Sequence, residues 1–562
     1  MTPLLLLTAF VWLAYGATCR SGFVIDDIEG IEHYDGKLKK FDYGHFSKWL
    51  IFKVFKKNKT LHHLLSIILH NLCVVSLYAF LCTFTSHTVA FIASALFAVH
   101  PITNQGVAWV SGRGYSIGLL TALSSINLYA YTTYLHAQHV IYLPILIGCA
   151  ALYYIAVNAQ FTFLMTPIVL CVLGYYPLAI VFFLVSLYLG KGIIKEVIGI
   201  RAKTFKEQNL GHITSLKFKK IFVAFKTLAY YTLLIIFPKR LGLYHPFHYH
   251  YSDKTEKIDL MCLLGMFIVA LCGVLFFVGS LPIKLAVVWY LFYVVIFLNW
   301  ITIQQFIAER YVHIASIGLF ILAAYILQYS SIALTFVFAL YLMRTWVHLT
   351  SYDNEISYYQ SNIWNFNNSE VAFANLGVCY LKANLMGSAM DMWAIAVKIN
   401  PNYDVAYYNM SSLMKQGGNL NDAYKYLKKA VESPGCHFKE IWSKEIKQLE
   451  HEIEYTNKVG ELRKKIVILG NNPERKKEAE GLMRQLDEVN NLHNRFEQEK
   501  KNKIAYLNTE RQKVQYQIEE LDKSAVVVNT PIPMEKIVEM RDKNFSIIEE
   551  AVNKLIIENP QA

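Results

Sequence analysis

The chain has 562 residues, of which 54% are hydrophobic and 14% aromatic, with a formal charge of +12 and a mean hydropathy of +0.30. That average conceals two halves: long apolar runs dominate before about residue 350, and from Tyr352 onward Lys, Glu, Asn and Gln take over. A membrane body carrying soluble helical modules fits this pattern and an ordinary soluble enzyme does not. With no basic–aromatic interleaving of the nucleic-acid-binding kind, the positive charge reads as topology signals and contacts with anionic headgroups.

Pro3–Ala17 lacks a positively charged n-region, so it reads as an uncleaved first span rather than a signal peptide. Arg20–Thr60 follows as a polar segment. Within it Phe46–Lys57 mixes Trp49, Phe52 and Phe55 with Lys48, Lys53, Lys56 and Lys57, as suits a helix lying in the headgroup region. Further candidate spans are Leu64–Phe84, Thr88–Val99, Ile117–Tyr134, Val140–Val157 and Phe161–Leu189, the last long enough for two short spans broken near Pro177. A basic stretch from Lys191 to Lys226 intervenes. Apolar segments then resume at Leu228–Pro238, Leu260–Gly279, Ile283–Trp300, His313–Leu327 and Ile332–Trp346, about eleven spans in all.

The rear half begins with a repeat. Ala372, Asn375, Gly377, Tyr380 and Ala389 recur 34 residues later as Ala406, Asn409, Ser411, Met414 and Ala423, with Asn400-Pro401 and Ser433-Pro434 closing the two units. This period marks tetratricopeptide helix pairs, whose small positions let neighbouring helices approach closely. Asp353–Trp364 supplies a further amphipathic helix for the array. From Lys439 to about Leu521 the chain is highly charged, with Leu507, Val514 and Leu521 seven apart, and predicts a coiled coil or a long helical hairpin. Thr530-Pro531-Ile532-Pro533 precedes a last amphipathic helix, Glu535–Glu558. The predicted fold class is therefore all-α: a polytopic membrane domain over 1–350, short helical repeats over 351–436, the coiled coil or hairpin over 437–525 and the terminal helix over 526–562. The nine cysteines show no CxxC spacing, so neither a disulfide framework nor a zinc site is expected. Four Asn-X-Ser/Thr tripeptides, at Asn58, Asn367, Asn409 and Asn544, are too common by chance to fix the compartment.

Several polar groups fall between apolar spans, where lipid would not satisfy them. Asp26-Asp27 sits just past the first span. It reads either as a solvated turn or as a base for an attacking hydroxyl, with the second carboxylate orienting it or holding a divalent metal. His100-Pro101 precedes Ala108-Trp109-Val-Ser-Gly-Arg113; Trp109 suits an interfacial anchor, and the Arg113 guanidinium suits bidentate contact with phosphate. Lys239 and Arg240 end an apolar segment, where snorkelling alone would account for them. Glu309-Arg310 reads equally as a structural pair or as part of a binding site.

Taken in order, these segments resemble the transmembrane-and-tetratricopeptide-repeat protein O-mannosyltransferases, multi-pass glycosyltransferases of the GT-C class. The resemblance runs through Val24-Ile-Asp-Asp27, His63-Leu-Leu-Ser-Ile-Ile-Leu-His70-Asn71, Phe97-Ala-Val-His-Pro101 to Val107-Ala-Trp-Val-Ser-Gly-Arg113, and Tyr231-Thr-Leu-Leu-Ile-Ile-Phe-Pro238. It continues through Ile307-Ala-Glu-Arg-Tyr311 with Ser316-Ile-Gly318 and Arg344-Thr-Trp346, and covers about residues 1–435. It implies a polyprenyl-phosphate sugar donor, such as dolichyl-phosphate mannose. Arg113, Lys239, Arg240 and Arg310 would then bind the donor phosphate, and Asp26 or Asp27 would be the base in a direct, inverting displacement by a Ser or Thr hydroxyl. His70, His100, Trp109 and Glu309 would support the cavity, and the repeats would hold the polypeptide acceptor. The coiled coil would offer an oligomerisation surface. The expected site is a membrane of the endoplasmic reticulum in a eukaryote, or the inner membrane for a bacterial or viral protein.

Three departures from the family pattern stand out: Gln105 replaces a Glu, Gly114-Tyr115 lacks the usual acidic residue, and Gln160-Phe161 replaces a Lys-Glu pair. They leave open a catalytically degenerate membrane scaffold presenting the repeats for protein assembly, or a carrier that binds lipid-phosphate sugar without transferring it. The lysines of Gly22–Thr60 also run against a lumenal placement of the Asp-Asp loop, since positive residues normally stay cytoplasmic.

Overall fold

A computed structural model describes residues 3–34, 43–135, 143–207, 220–242, 245, 258–299, 307–434, 436, 438–470 and 475–527. Among them all regular structure is helical, with no strand, and the chain divides into two compact units, 1–446 and 447–562.

The sequence sets several helix starts by capping. The side chains of Asn58, Ser86, Asp259, Ser330, Asn354 and Ser369 each accept a hydrogen bond from the N–H three residues on, satisfying a donor that the first helical turn leaves free. Four helical segments are long and apolar enough to cross a membrane: Pro3–Arg20, Lys59–Cys82, Leu260–Val278 and Ser331–Tyr352. Others of 10–17 residues, such as His87–Val99, Leu281–Val295 and Ser316–Leu327, are apolar but short. The helix Gly114–Leu135 carries Ser, Thr and Asn along its length, some of which bond to neighbouring helices. Ser125 Oγ donates to the Cys149 carbonyl and Asn127 Nδ2 to the Ser76 carbonyl.

Phe161–Leu189 is broken just before Pro177. The break is at Gly174, whose φ of +75° lets the helix Thr166–Val172 end in a left-handed residue. Pro177 instead lies in the first turn of Tyr176–Glu207, where its missing N–H costs no helical hydrogen bond. Elsewhere glycine permits close helix contact. A side chain on Gly318 would meet the Ala286 carbonyl and Tyr290, and one on Gly265 would meet the Phe225 backbone. Beside that second contact Lys226 Nζ pairs with Asp259 at 2.7 Å.

The two ends of the apolar helical body meet. Gly22 N–H donates to the Asp353 carbonyl at 2.9 Å, Ser21 Oγ donates to the Asp353 carboxylate at 3.2 Å, and Trp346 Nε1 donates to the Leu13 carbonyl at 2.9 Å. The loop after the first helix and the entry to the rear helices therefore lie side by side.

Those rear helices run Glu355–Asn365, Glu370–Lys382, Met386–Ile399, Asp404–Gln416 and Leu420–Glu432. Ala372, Ala389, Ala406 and Ala423 are all fully buried. The equivalent positions Gly377 and Ser411 solve the crossing differently: Gly377 makes room for the Trp393 indole, whose Nε1 donates to the Ala374 carbonyl, whereas Ser411 Oγ donates to the Ala423 carbonyl. Trp442 stacks on Tyr408 at 4.6 Å and closes the array.

In the second unit the helices Lys439–Gly470 and Lys476–Val527 lie against each other through stacked rings. Tyr455 stacks on His493 at 3.8 Å and its hydroxyl donates to Asn490 at 2.9 Å. The side chains of Leu507, Val514 and Leu521 and the terminal helix Glu535–Glu558 lie outside the described residues.

Candidate active site

The polar residues singled out in the sequence gather where the loop after the first helix meets the 100–113 segment and the turn at Glu309–Val312. Asp26 and Asp27 prove unalike. Asp27 is fully buried; its Oδ2 accepts the Val110 N–H at 3.1 Å, and its Oδ1 accepts the Ser111 N–H at 2.6 Å and the Ser111 hydroxyl at 2.5 Å. Burial pushes its carboxyl up to about 6, against the opposing pull of these hydrogen bonds. Asp26 is exposed. The preceding Ile25 has φ +54°, a left-handed conformation in which a β-branched side chain is strained by roughly 1–3 kcal/mol. That turn sends two consecutive carboxylates to different environments, one into the protein and one out.

Arg113 belongs with Asp27. Buried, and held down to about 10 by burial while the nearby Asp27 charge opposes the shift, it donates from Nη2 to the His62 carbonyl at 3.0 Å and from Nε to Ser66 Oγ at 3.3 Å. Its hydrogen bonds are spent on the helix Lys59–Cys82. Arg310 is differently placed. Its guanidinium lies 5.4 Å from the Trp109 ring centroid and 5.1 Å from that of Tyr311, interacts electrostatically with Asp26, and keeps a buried Nη1 with no hydrogen-bond partner in the protein.

Gln105 and Glu309 fix the surrounding backbone. The Arg310 N–H donates to Gln105 Oε1 at 3.2 Å, and Gln105 Nε2 donates to the Gly242 carbonyl at 3.4 Å. The Gly242 N–H in turn donates to Glu309 Oε1, which also lies 3.6 Å from His245 Nε2; Tyr230 and His245 are 2.7 Å apart through the hydroxyl and Nδ1. An amide is needed at 105 because the residue must donate on one side and accept on the other.

His70 and His100 are buried and structural in their contacts. His70 Nε2 lies 3.3 Å from the Ala98 carbonyl. His100 accepts the Ile102 N–H on Nδ1, which leaves Nε2–H to donate to the Ile235 carbonyl at 2.8 Å; burial holds its pKa down to about 3. Lys239 and Arg240 are exposed just beyond the helix Lys220–Ile236, and the backbone beneath them is pinned by Arg344, which donates to the Pro238 and Lys239 carbonyls at 2.9 Å each. The four cations are therefore dispersed among different settings, and Arg310 alone of them combines aromatic faces, the influence of Asp26 and an unused buried donor.

No family model, curated protein or solved structure matches this chain. What the site can do therefore rests on its own chemistry. A divalent metal at Asp26/Asp27 fits poorly: both Asp27 oxygens already accept N–H and O–H donors, and among the described residues no group of three or more His, Cys, Asp or Glu converges. Sequence reading passed over Ser111, although it stands within Trp-Val-Ser-Gly-Arg, and over Tyr352, whose hydroxyl is buried without a partner near Arg310 and Glu309. A tyrosine at the end of an apolar span reads as an interfacial residue, so no local pattern marks it.

Proposed function

We propose that the protein is a membrane glycosyltransferase with a GT-C-like body, tetratricopeptide repeats and a C-terminal coiled coil. It moves a sugar, mannose by resemblance, from a polyprenyl-phosphate donor to Ser or Thr hydroxyls of a polypeptide. The observation that supports this reading is the exposed Asp26 on the loop that Asp27 ties to Val110 and Ser111, next to Trp109, whose ring centroid lies 5.4 Å from the Arg310 guanidinium with its unused buried donor. Asp26 takes the proton of the acceptor hydroxyl as its oxygen bonds to the anomeric carbon on the face opposite the leaving group. The carbon–oxygen bond to the lipid phosphate breaks, and the electron pair leaves with the phosphate, where Arg310 stabilises the developing charge. One base and no covalent intermediate give inversion. Asp27 and Arg113 position the loop, and the repeats present the polypeptide on the Asp26 side. The compartment is the endoplasmic reticulum membrane in a eukaryote or the inner membrane of a bacterial or viral host.

The test is transfer by the purified full-length protein from radiolabelled polyprenyl-phosphate sugars. Asp26→Asn is expected to lower transfer by about 100- to 10,000-fold with no loss of thermal stability. Wild-type transfer by this variant removes Asp26 as the base. No transfer from any donor by the wild-type protein leaves the membrane scaffold as the better reading.

A further inference from the structure

Several buried polar atoms around Arg310 have no partner within the protein. Arg310 Nη1, Trp109 Nε1 and the Tyr352 hydroxyl are donors of this kind, and Glu309 Oε2 is an acceptor. Trp109 and Tyr352 are 7% and 1% exposed, so bulk water does not reach them freely. They are linked through the Asp loop: Arg310 follows Glu309 and stands over the Trp109 ring at 5.4 Å, Val110, the next residue, donates to Asp27, and Tyr352 precedes Asp353, which bonds to Ser21 and Gly22 of the same loop. An orphaned buried donor costs free energy that a ligand recovers on binding. One cation with two neutral donors and one acceptor beside it is a composite set. It suits a ligand that carries one anionic group and several hydroxyls.

We infer that Trp109 and Tyr352, beside Arg310, form a subsite for the hydroxyl-bearing half of a polyol phosphate ester, with the phosphate on Arg310 and the hydroxyls on the Trp109 N–H, the Tyr352 hydroxyl and Glu309 Oε2. This deepens the transferase reading by assigning sugar recognition to particular side chains. The assignment concerns binding and does not require turnover. Tyr352 is the informative member, because it comes from the junction with the rear helices: Asp353, the next residue, bonds to Ser21 and Gly22 of the Asp loop. The sugar pocket and the acceptor arm thus share a segment.

The experiment measures binding to the purified full chain in lipid nanodiscs of neutral lipid, for wild type, Trp109→Phe and Tyr352→Phe. The probes are polyprenyl phosphate, mannosyl-phosphoryl-polyprenol, mannose 1-phosphate and phosphatidylinositol. Phe retains the aromatic face over Arg310 in the first variant and the ring packing in the second. The glycosylated lipid is expected to bind more tightly than plain polyprenyl phosphate. Each variant should lose roughly two- to ten-fold for the glycosylated lipid with no change for the plain one. The same selective loss on phosphatidylinositol alone sustains the subsite but assigns it to a headgroup lipid and removes the transferase reading; on mannose 1-phosphate alone it assigns a soluble donor. Selective binding with no sugar transfer likewise sustains the subsite and removes the transferase. Equal affinity for glycosylated and plain lipid, or loss in neither variant, means that water satisfies these atoms and overturns the inference. If Trp109→Phe does not fold, Tyr352→Phe and the probe comparison still decide.

Discussion

Replacing Asp27 with alanine separates the two carboxylates by stability as well as by activity. Asp27→Ala strips the acceptor from the buried Val110 N–H and from the part-buried Ser111 N–H, and leaves Arg113 without its neighbouring charge. The Ser111 hydroxyl can turn to another partner; the backbone donors cannot. At about 1–3 kcal/mol for the orphaned Val110 N–H and less for that of Ser111, which water can reach, partly offset by no longer burying a carboxylate, the net destabilisation is about 1–3 kcal/mol. For a body of 446 residues that corresponds to a melting temperature lower by about 1–3 °C. Asp26→Ala, at an exposed position, should stay within about 0.5 kcal/mol of wild type. The assay is thermal unfolding of the detergent-solubilised full chain, followed with a thiol-reactive dye that reports exposure of buried Cys73 and Cys149. Equal melting of the Asp27→Ala and Asp26→Ala proteins would refute the view that Asp27 is a structural acceptor.

Other consequences are open to measurement. Asp27 keeps its proton up to about pH 6 when folded, whereas an unfolded carboxyl loses it near 4, so between those values the folded state holds more protons and raising the pH favours unfolding. Its contribution, on the order of 2–3 kcal/mol, is present below about pH 4 and lost through about pH 6; melting curves across that range should show the decline, and Asp27→Asn should flatten it. Gln105→Glu cannot donate to the Gly242 carbonyl and buries a second carboxylate near Glu309, so it should cost about 2–4 kcal/mol in the same assay, and an unchanged melt would dismiss the bridging role of the amide. Ala389→Leu should overpack the fully buried crossing by about 1–3 kcal/mol, read as earlier proteolysis of the 370–432 helices. Cysteines placed at exposed Lys57 and Lys415 should label from the same side of a vesicle; labelling from opposite sides would deny the repeats access to Asp26.

Hydropathy and the 34-residue recurrence made the helices legible, because burial at small positions repeats in register; Ala372, Ala389, Ala406 and Ala423 needed no tertiary knowledge. The Gly174 break was harder to locate, since proline is the louder signal although it is tolerated in a first helical turn. Adjacent Asp26 and Asp27 were indistinguishable in the sequence; only the left-handed Ile25 separates their fates. The four candidate cations looked equivalent for the same reason, and what distinguishes Arg310 from Arg113 is which partners the fold brings to each.

The hydrogen bond from Ser21 to Asp353 joins residues 332 positions apart, and this bears on how the protein is made. Ribosomes extend chains at about 5–20 residues per second, so the Asp-bearing loop waits roughly 15–70 s after its synthesis for the segment that fastens it. During that interval the intervening helices are made, and the loop is held through Asp27 and Gly22 but not yet through Asp353. Gly22 has no side chain to obstruct the late arrival, since a Cβ there would run into the Asp353 carbonyl. The rear fastening of the Asp-bearing loop is therefore a late event of synthesis, and a nascent chain cut short before residue 353 holds Asp27 through Val110 and Ser111 but lacks the bonds from Gly22 and Ser21 to Asp353.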